Sequence, residues 1–252
     1  MVLVSNLDSP QIDDEDRHHL SRVLRLRPGA SIVLCDGRGS WRSAVFGDAV
    51  PGDAVVRDAP GGDGASELGP IESAAAPQPP IGVGFALVKG ERPELIVQKL
   101  TEIGVDVILP FVAERSVVRW DAGKAERQHD RLIKVARGAC MQSRRPFLPR
   151  VDRLVEFDEL LEAMDLRSDW NDFEVVLADV ADTATATAGV NRSAGLTSVA
   201  GPRVVLVGPE GGWTDAERDR VPGRIGLGEY VLRAETAAIA AGVVLAARRH
   251  GG

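Results

Sequence analysis

The sequence predicts an α/β protein: a mostly parallel sheet with helices on both faces, preceded by a small β-barrel with one helix. From Pro80 onward, short aliphatic runs (IGVGFALV at 81–88, VDVILPFV at 105–112, EVVLA at 174–178, VVLV at 204–207) alternate with segments of helical period. Continuous apolar strands separated by helices are what a sheet buried on both faces requires. Before residue 58 the chain instead shows short β-rich runs cut by Gly-Arg-Gly and Pro-Gly turns, the punctuation of a small antiparallel unit. Residues 58–80 are rich in Gly, Pro, Ala and Asp, which marks a boundary. The division read from this is 1–75 for the first domain and 76–252 for the second.

The first domain opens with a helix expected over Asp13–Leu26, where Leu20, Val23, Leu24 and Leu26 share a stripe and arginines take the other side. Strands are expected at Ser31–Asp36, Trp41–Phe46 and Ala54–Arg57, and a further one at Glu67–Ile71. In the second domain Pro93 suits the first turn of a helix reaching about Ile103. Another helix is expected at roughly Lys124–Gln142, and a polar Ala/Thr/Gly/Ser stretch follows the 174–178 strand as far as Ala200. Thr214 stands three residues before Glu217, a capping box that starts a helix. A short strand near Arg224–Leu227 and an almost wholly apolar helix, Thr236 to Arg249, close the pattern.

Composition excludes more than it assigns. A hydrophobic content of 44% supports a proper core. No apolar run reaches membrane-spanning length and the N-terminus has no basic-then-apolar leader, so a cytoplasmic location is expected. Cys35 and Cys140 are isolated, so neither a disulfide framework nor a metal site is expected. A single GxG at 82–84 and no Gly-Lys-Ser/Thr weigh against a dehydrogenase and a phosphate-loop enzyme. The net charge of −7 is the wrong sign for holding RNA by bulk electrostatics. Yet Arg17, Arg22, Arg25 and Arg27 fall together without an acid, and Arg131, Lys134, Arg137, Arg144, Arg145, Arg150 and Arg153 share their stretch only with Asp152. Such clusters are either phosphate and guanine contacts or solvated helix faces.

The chemistry gathers at two loops. Val204–Val207 breaks into Gly208-Pro209-Glu210-Gly211-Gly212, which leaves backbone N–H and C=O groups bare at a strand's carboxyl end. That edge is where open α/β sheets bind ligands. A second Gly-containing loop runs through 226–233. Two bare-backbone loops closing on one place suit an adenosine-type ligand read by main chain.

GPEGG, then LG, then LR-x-ET opening the last helix resembles the C-terminal signature of the SPOUT methyltransferases with a trefoil-knotted fold. Lys89-Gly90-Glu91-Arg92 with QKLTEIGVDVILPFVAERS (98–116), GACMQSRRPFLPRV (138–151) and HHLSRVLRLRPG (18–29) resemble the corresponding segments of the RsmE family within them, in order along most of the chain. That family methylates N3 of one uridine in 16S ribosomal RNA. The resemblance implies a PUA-like RNA-binding barrel at 1–75, and at 76–252 a SPOUT domain with a C-terminal knot and a dimer interface. It implies S-adenosyl-L-methionine as cofactor, 16S rRNA within the assembled small subunit as partner, a homodimer, and no metal. Periodicity itself says nothing of threading, and true knots are very rare.

On this reading Gly208, Pro209, Glu210, Gly211, Gly212, Leu227, Gly228, Leu232 and Thr236 hold the cofactor, with Leu177 and Ala178 as a third wall. His19, Arg22, Arg25, Arg27, Gln142, Arg144 and Arg145 contact RNA. Met141 stands where the family usually has an acid, and MVLVSNLD lacks the family's aromatic and basic start. Arg233 and Glu210 are the candidate catalytic residues. Arg233 stays protonated and either stabilises charge on a uridine carbonyl or pairs with Glu235 or Glu229. Glu210 is a proton acceptor or, more in keeping with short Gly turns, a brace for its loop through backbone N–H groups. Thr236 and Glu235 read as caps of the final helix. Trp213 reads as a packing residue. The final helix, apolar all round, must be buried all round, and a two-fold dimer is the economical cover. Two functional alternatives stay open: a knotted methyltransferase acting on transfer RNA or a ribose 2′-oxygen, and a non-catalytic RNA-binding or ribosome-assembly protein.

Overall fold

The computed structural model describes residues 1–46 apart from 24 and 28, then 68–165, 174–179 and 203–251. They form two compact units: Met1–Pro77 with Cys140–Leu148, and Gln78–Ala139 with Pro149–Gly252.

In the first unit, strands β1 (Val2–Leu3), β2 (Ser31–Cys35), β3 (Ser40–Val45) and β4 (Glu72–Ser73) lie side by side in that order. β2 and β3 form an antiparallel hairpin with Ile32 opposite Ala44 and Cys35 opposite Trp41. Its turn is closed by Asp36, whose carboxylate accepts the N–H of Arg38 at 2.7 Å and of Ser40 at 3.0 Å, as Asx turns do. Period-two alternation sends Ile32 and Leu34 inward, onto Val2, Val4, Leu7, Leu20, Ala44 and Phe46. The expected first helix is shorter than its apolar stripe: α1 (Asp14–His18) gives way to a wider π-type turn at His19–Val23, and Arg25 lies beyond it at φ 53°. The strand expected at Glu67–Ile71 is instead β4, two residues paired with Ser40 and Trp41. The parallel pairing of β1 with β2 had no signal in so short a run. Ala54–Arg57 and the rest of 47–67 lie outside the described residues.

Residues 140–148 interrupt the second unit in sequence but pack with the first. Cys35 and Cys140 are fully buried free thiols. Cys35 Sγ donates to the carbonyl of Pro146 at 3.5 Å, Cys140 Sγ to that of Arg145 at 3.0 Å, and the Leu148 N–H to Gly37 at 2.8 Å.

In the second unit the sheet order is β11 (Gly223–Ile225), β9 (Val175–Ala178), β10 (Val204–Val207), β5 (Gly82–Ala86), β6 (Val107–Val112) and β7 (Arg150–Val151), with β8 (Val155–Glu156) also on β6. Every pairing is parallel. Leu109, Phe111, Leu177 and Leu206 share one face with Phe157, Leu160, Leu161 and Met164 of helix α4 (Phe157–Asp165). Residues of the other parity, Val83, Phe85, Ile108 and Val205, are fully buried too. On that side α6 (Ala234–Gly251) lies against β5 and β10 and packs on α2 (Arg92–Ile103). Helices therefore cover both faces, as expected. Gly242 makes the α6–α2 approach possible, since a Cβ there would stand 2.7 Å from Leu100. α2 has Pro93 in its first turn and ends on Gly104 at φ 101°, whose N–H returns to Leu100 and Thr101.

α3 (Ala122–Ser143) and α5 (Asp215–Arg220) stand close to where they are expected, and α6 begins slightly before Thr236. α4, β7 and β8 are additions to the expected pattern, although Phe157, Leu160, Leu161 and Met164 carry the i, i+3, i+4, i+7 stripe. The polar stretch expected as far as Ala200 lies outside the described residues.

Candidate functional site

Parallel register brings three strand ends side by side: Ala178 aligns with Val207 and with Ile225, and the Asp179 N–H donates to the Ile225 carbonyl at 3.1 Å. β9, β10 and β11 consequently end at one edge of the sheet, where the loops after β10 and β11 begin.

Trp213 lies under the loop that follows β10. It is 1% exposed, stacks on Phe111 at 5.9 Å and 11°, and lies 5.4 Å from the Phe157 ring. Its Nε1 donates to the Ala178 carbonyl at 2.9 Å, binding the 208–213 loop to the end of β9. Gly208 is bare because a Cβ would stand 2.8 Å from the indole. Gly211 is bare for another reason: its Cβ would meet Arg115 at 3.1 Å. Arg115 Nη1 donates to the carbonyls of Gly211 at 3.2 Å and Trp213 at 3.1 Å. Gly212 closes the turn, its N–H on the Pro209 carbonyl at 2.9 Å. Its φ is 70°, and a Cβ there would meet nothing within 4 Å. Gly226 and Gly228 face open space as well.

The expected capping box is present. Thr214 Oγ1 accepts the Glu217 N–H at 3.3 Å, and Glu217 Oε2 accepts the Thr214 N–H at 2.8 Å. Glu217 Oε1 also accepts the Glu114 N–H at 2.9 Å, so one buried carboxylate ties the exit of β6 to the start of α5. On the β9 side, Arg218 Nε donates to Asp179 Oδ2 at 2.9 Å. That carboxylate raises the affinity of Arg218 for its proton, whereas burial lowers that of Arg224.

The fold is shared with solved relatives. The profile of an RNA methyltransferase domain matches residues 75–246, and that of an RNA methyltransferase PUA domain matches 12–56. The Ribosomal RNA small subunit methyltransferase E of Bacillus subtilis is 31% identical, over 90% of this chain and 85% of its own. The chain belongs to that family. The Mycobacterium bovis enzyme of the same name is likewise 31% identical, over 91% and 83%. The solved Neisseria gonorrhoeae Ribosomal RNA small subunit methyltransferase E, bound to S-adenosyl methionine, is 27% identical with a TM-score of 0.70, covering 97% of this chain and 95% of that one.

In this methyltransferase the residues singled out from sequence fare differently. Gly208, Pro209, Gly211 and Gly212 form one turn after β10, and Leu227, Gly228 and Leu232 lie in the loop after β11, two strands away across β9. Leu177 is fully buried among core side chains, so only its backbone is available to a ligand, and the Ala178 carbonyl is already taken by Trp213. Among the described residues the Glu210 carboxylate accepts no backbone N–H of its loop. It lies 3.5 Å from Arg92 Nη1, and Arg92 Nε lies 3.5 Å from Glu235 Oε1. Glu235 thus pairs with Arg92 and not with Arg233. Arg233 is exposed and has no ion pair among the described residues. Thr236 lies inside α6, exposed, and does not cap it.

The RNA candidates all fall in the first compact unit. Arg22, Arg25, Arg27, Gln142 and Arg144 are exposed and Arg145 is half-buried; the His19 side chain lies outside the described residues. Arg144 sits at φ 57°, just past the end of α3. Sequence reasoning missed Arg92 and Arg115. Both stand in motifs that carry the family resemblance, but their partners lie far along the chain.

Proposed function

We propose that this enzyme transfers a methyl group from S-adenosyl-L-methionine to N3 of one uridine in 16S ribosomal RNA, within the small subunit. The observation that carries the reading is the alignment of three strand ends at one sheet edge, with bare Gly loops after two of them, in a chain of this family. The residues fit the cofactor: at Gly212, Gly226 and Gly228 a side chain's place is open, and the loop backbone is exposed where an adenosyl group would be read by main chain. Bound there, the cofactor supplies an electrophilic methyl on a sulfonium.

The work left to the chain is positioning and electrostatics. Gly208–Gly212 and Leu227–Leu232 line the cofactor side. Glu210 steadies the first loop through Arg92, which also holds Glu235 at the start of α6. Arg233, with no ion pair among the described residues, faces the charge that grows on a uracil carbonyl as N3 loses its proton. The first unit presents Arg22, Arg25, Arg27, Gln142, Arg144 and Arg145 to RNA. An overall charge of −7 makes binding depend on a shaped ribosomal site and not on bulk attraction.

The enzyme acts as a cytoplasmic homodimer in this reading. Expected to be buried all round, α6 in fact leaves Thr236, Val243 and Ala247 exposed within one chain. Val243 is 51% exposed, and Tyr230 and Val231 in the preceding loop are 78% and 77% exposed. A second copy covers such surface at low cost. Mass mapping of 16S rRNA from cells with and without this chain tests the reaction. Restored methylation of one uridine at N3 is the expected result; methyl on ribose, on transfer RNA or nowhere overturns it.

A further inference from the structure

Helix α3 has an outer face that the site above does not use. At alternating steps of three and four residues it carries Lys124, Arg127, Arg131, Lys134 and Gly138, every one of them exposed. Such positions share one side of a helix and here span about 21 Å. Lys124 Nζ is steadied over the Trp120 ring at 5.9 Å. Arg131 reaches Glu94 at 3.0 Å and Glu91 at 3.7 Å. Two acids, Glu126 and Asp130, flank the row, and Glu126 is engaged by Arg153. In a chain of net charge −7 this row carries four cations and no acid at its own positions. None of the exposed large hydrophobic residues among those described lies on α3, which argues against a protein partner.

Gly138 is a separate observation. Glycine inside a helix is less stable than alanine. Here the backbone is not left-handed and a Cβ would meet nothing within 4 Å, so neither conformation nor internal packing requires it. A bare, exposed stretch of helix backbone permits close approach by another molecule.

We propose that this face is a track for the phosphate backbone of the RNA substrate, with Lys124, Arg127 and Lys134 as phosphate contacts and Gly138 as the point of closest approach. The partner class rests on the methyltransferase reading. Binding of a 16S rRNA fragment is measured across a salt series for the wild type, Lys124→Gln/Lys134→Gln and Gly138→Gln, with cofactor affinity and melting temperature alongside. The double lysine variant is expected to flatten the slope of log affinity against log salt by roughly 1.4, two single-strand phosphate contacts. Gly138→Gln, which removes no charge, is expected to weaken RNA binding about tenfold while cofactor affinity holds and melting temperature holds or rises. Variants with wild-type RNA affinity and slope overturn the track alone. So does a Gly138→Gln protein that changes only its oligomeric state, which would assign the face to a second copy. A wild type that binds no ribosomal RNA overturns the functional reading, and the track with it.

Discussion

Gly211 and Arg115 show how a single glycine's meaning depends on its neighbours. From sequence, a side chain at 211 would fill the ligand's space; in the structure its first carbon runs into Arg115. Arg115 is exposed, so its hydrogen bonds add little to global stability, but they fix the carbonyls of Gly211 and Trp213 in the turn after β10. Arg115→Ala is expected to lower S-adenosyl-L-methionine affinity about tenfold, roughly 1.4 kcal/mol, with little change in melting temperature. Gly211→Val displaces the same arginine, so the double variant is expected to bind no more weakly than the worse single one. Additive losses by calorimetry would show that valine acts on the ligand directly. Cys35 makes a second case at this scale. Burial pushes its thiol pKa up from 9.0, because the thiolate would lose its water. The folded value lies above the unfolded one, so the associated stability is complete below pH 9.0 and is lost as pH rises through the folded value. Alkylation of native Cys35 at pH 8 is expected to be on the order of a hundredfold slower than in the denatured chain, since it needs opening of a core. Equal rates, followed by mass spectrometry, would refute this.

Among the elements, α5 is short and its capping box does two jobs. Thr214→Ala removes one cap and is expected to cost about 1 kcal/mol. Glu217→Ala also strands the Glu114 N–H, a partly buried donor, and is expected to cost about 2 kcal/mol. Urea denaturation of both variants checks the order; a Glu217 loss no larger than the Thr214 loss would mean that the tie to β6 is idle. α5 was legible because a capping box is local, spanning three residues. α4 carried an equally local stripe and was overlooked. β7 and β8 could not be found, for two-residue strands exist only through the partner they pair with.

For the molecule as a whole, the exposed side of α6 decides the best test of association. Ala241 is fully buried, so a charge there would unfold the chain and reveal nothing about a dimer. Val243, 51% exposed, is the position to change. Val243→Glu is expected to yield a folded monomer by light scattering at micromolar concentration, with most activity lost. A wild type that is monomeric and fully active would remove the dimer from the proposal.

Local order along the chain determined the alternation of buried strands and helices, the Gly loops at strand ends, the capping box and the family, since each is written within a few consecutive residues. Tertiary structure decided which polar groups find one another. Arg115 meets Gly211 across 96 positions and Glu217 meets Glu114 across 103. The same long reach gives Glu235 to Arg92, leaves Arg233 without an ion pair among the described residues, and puts residues 140–148 with the first unit. Periodicity encodes which side of an element is apolar, but ion pairs and hydrogen bonds depend on the register and spacing of whole elements, which exist only once the sheet has assembled.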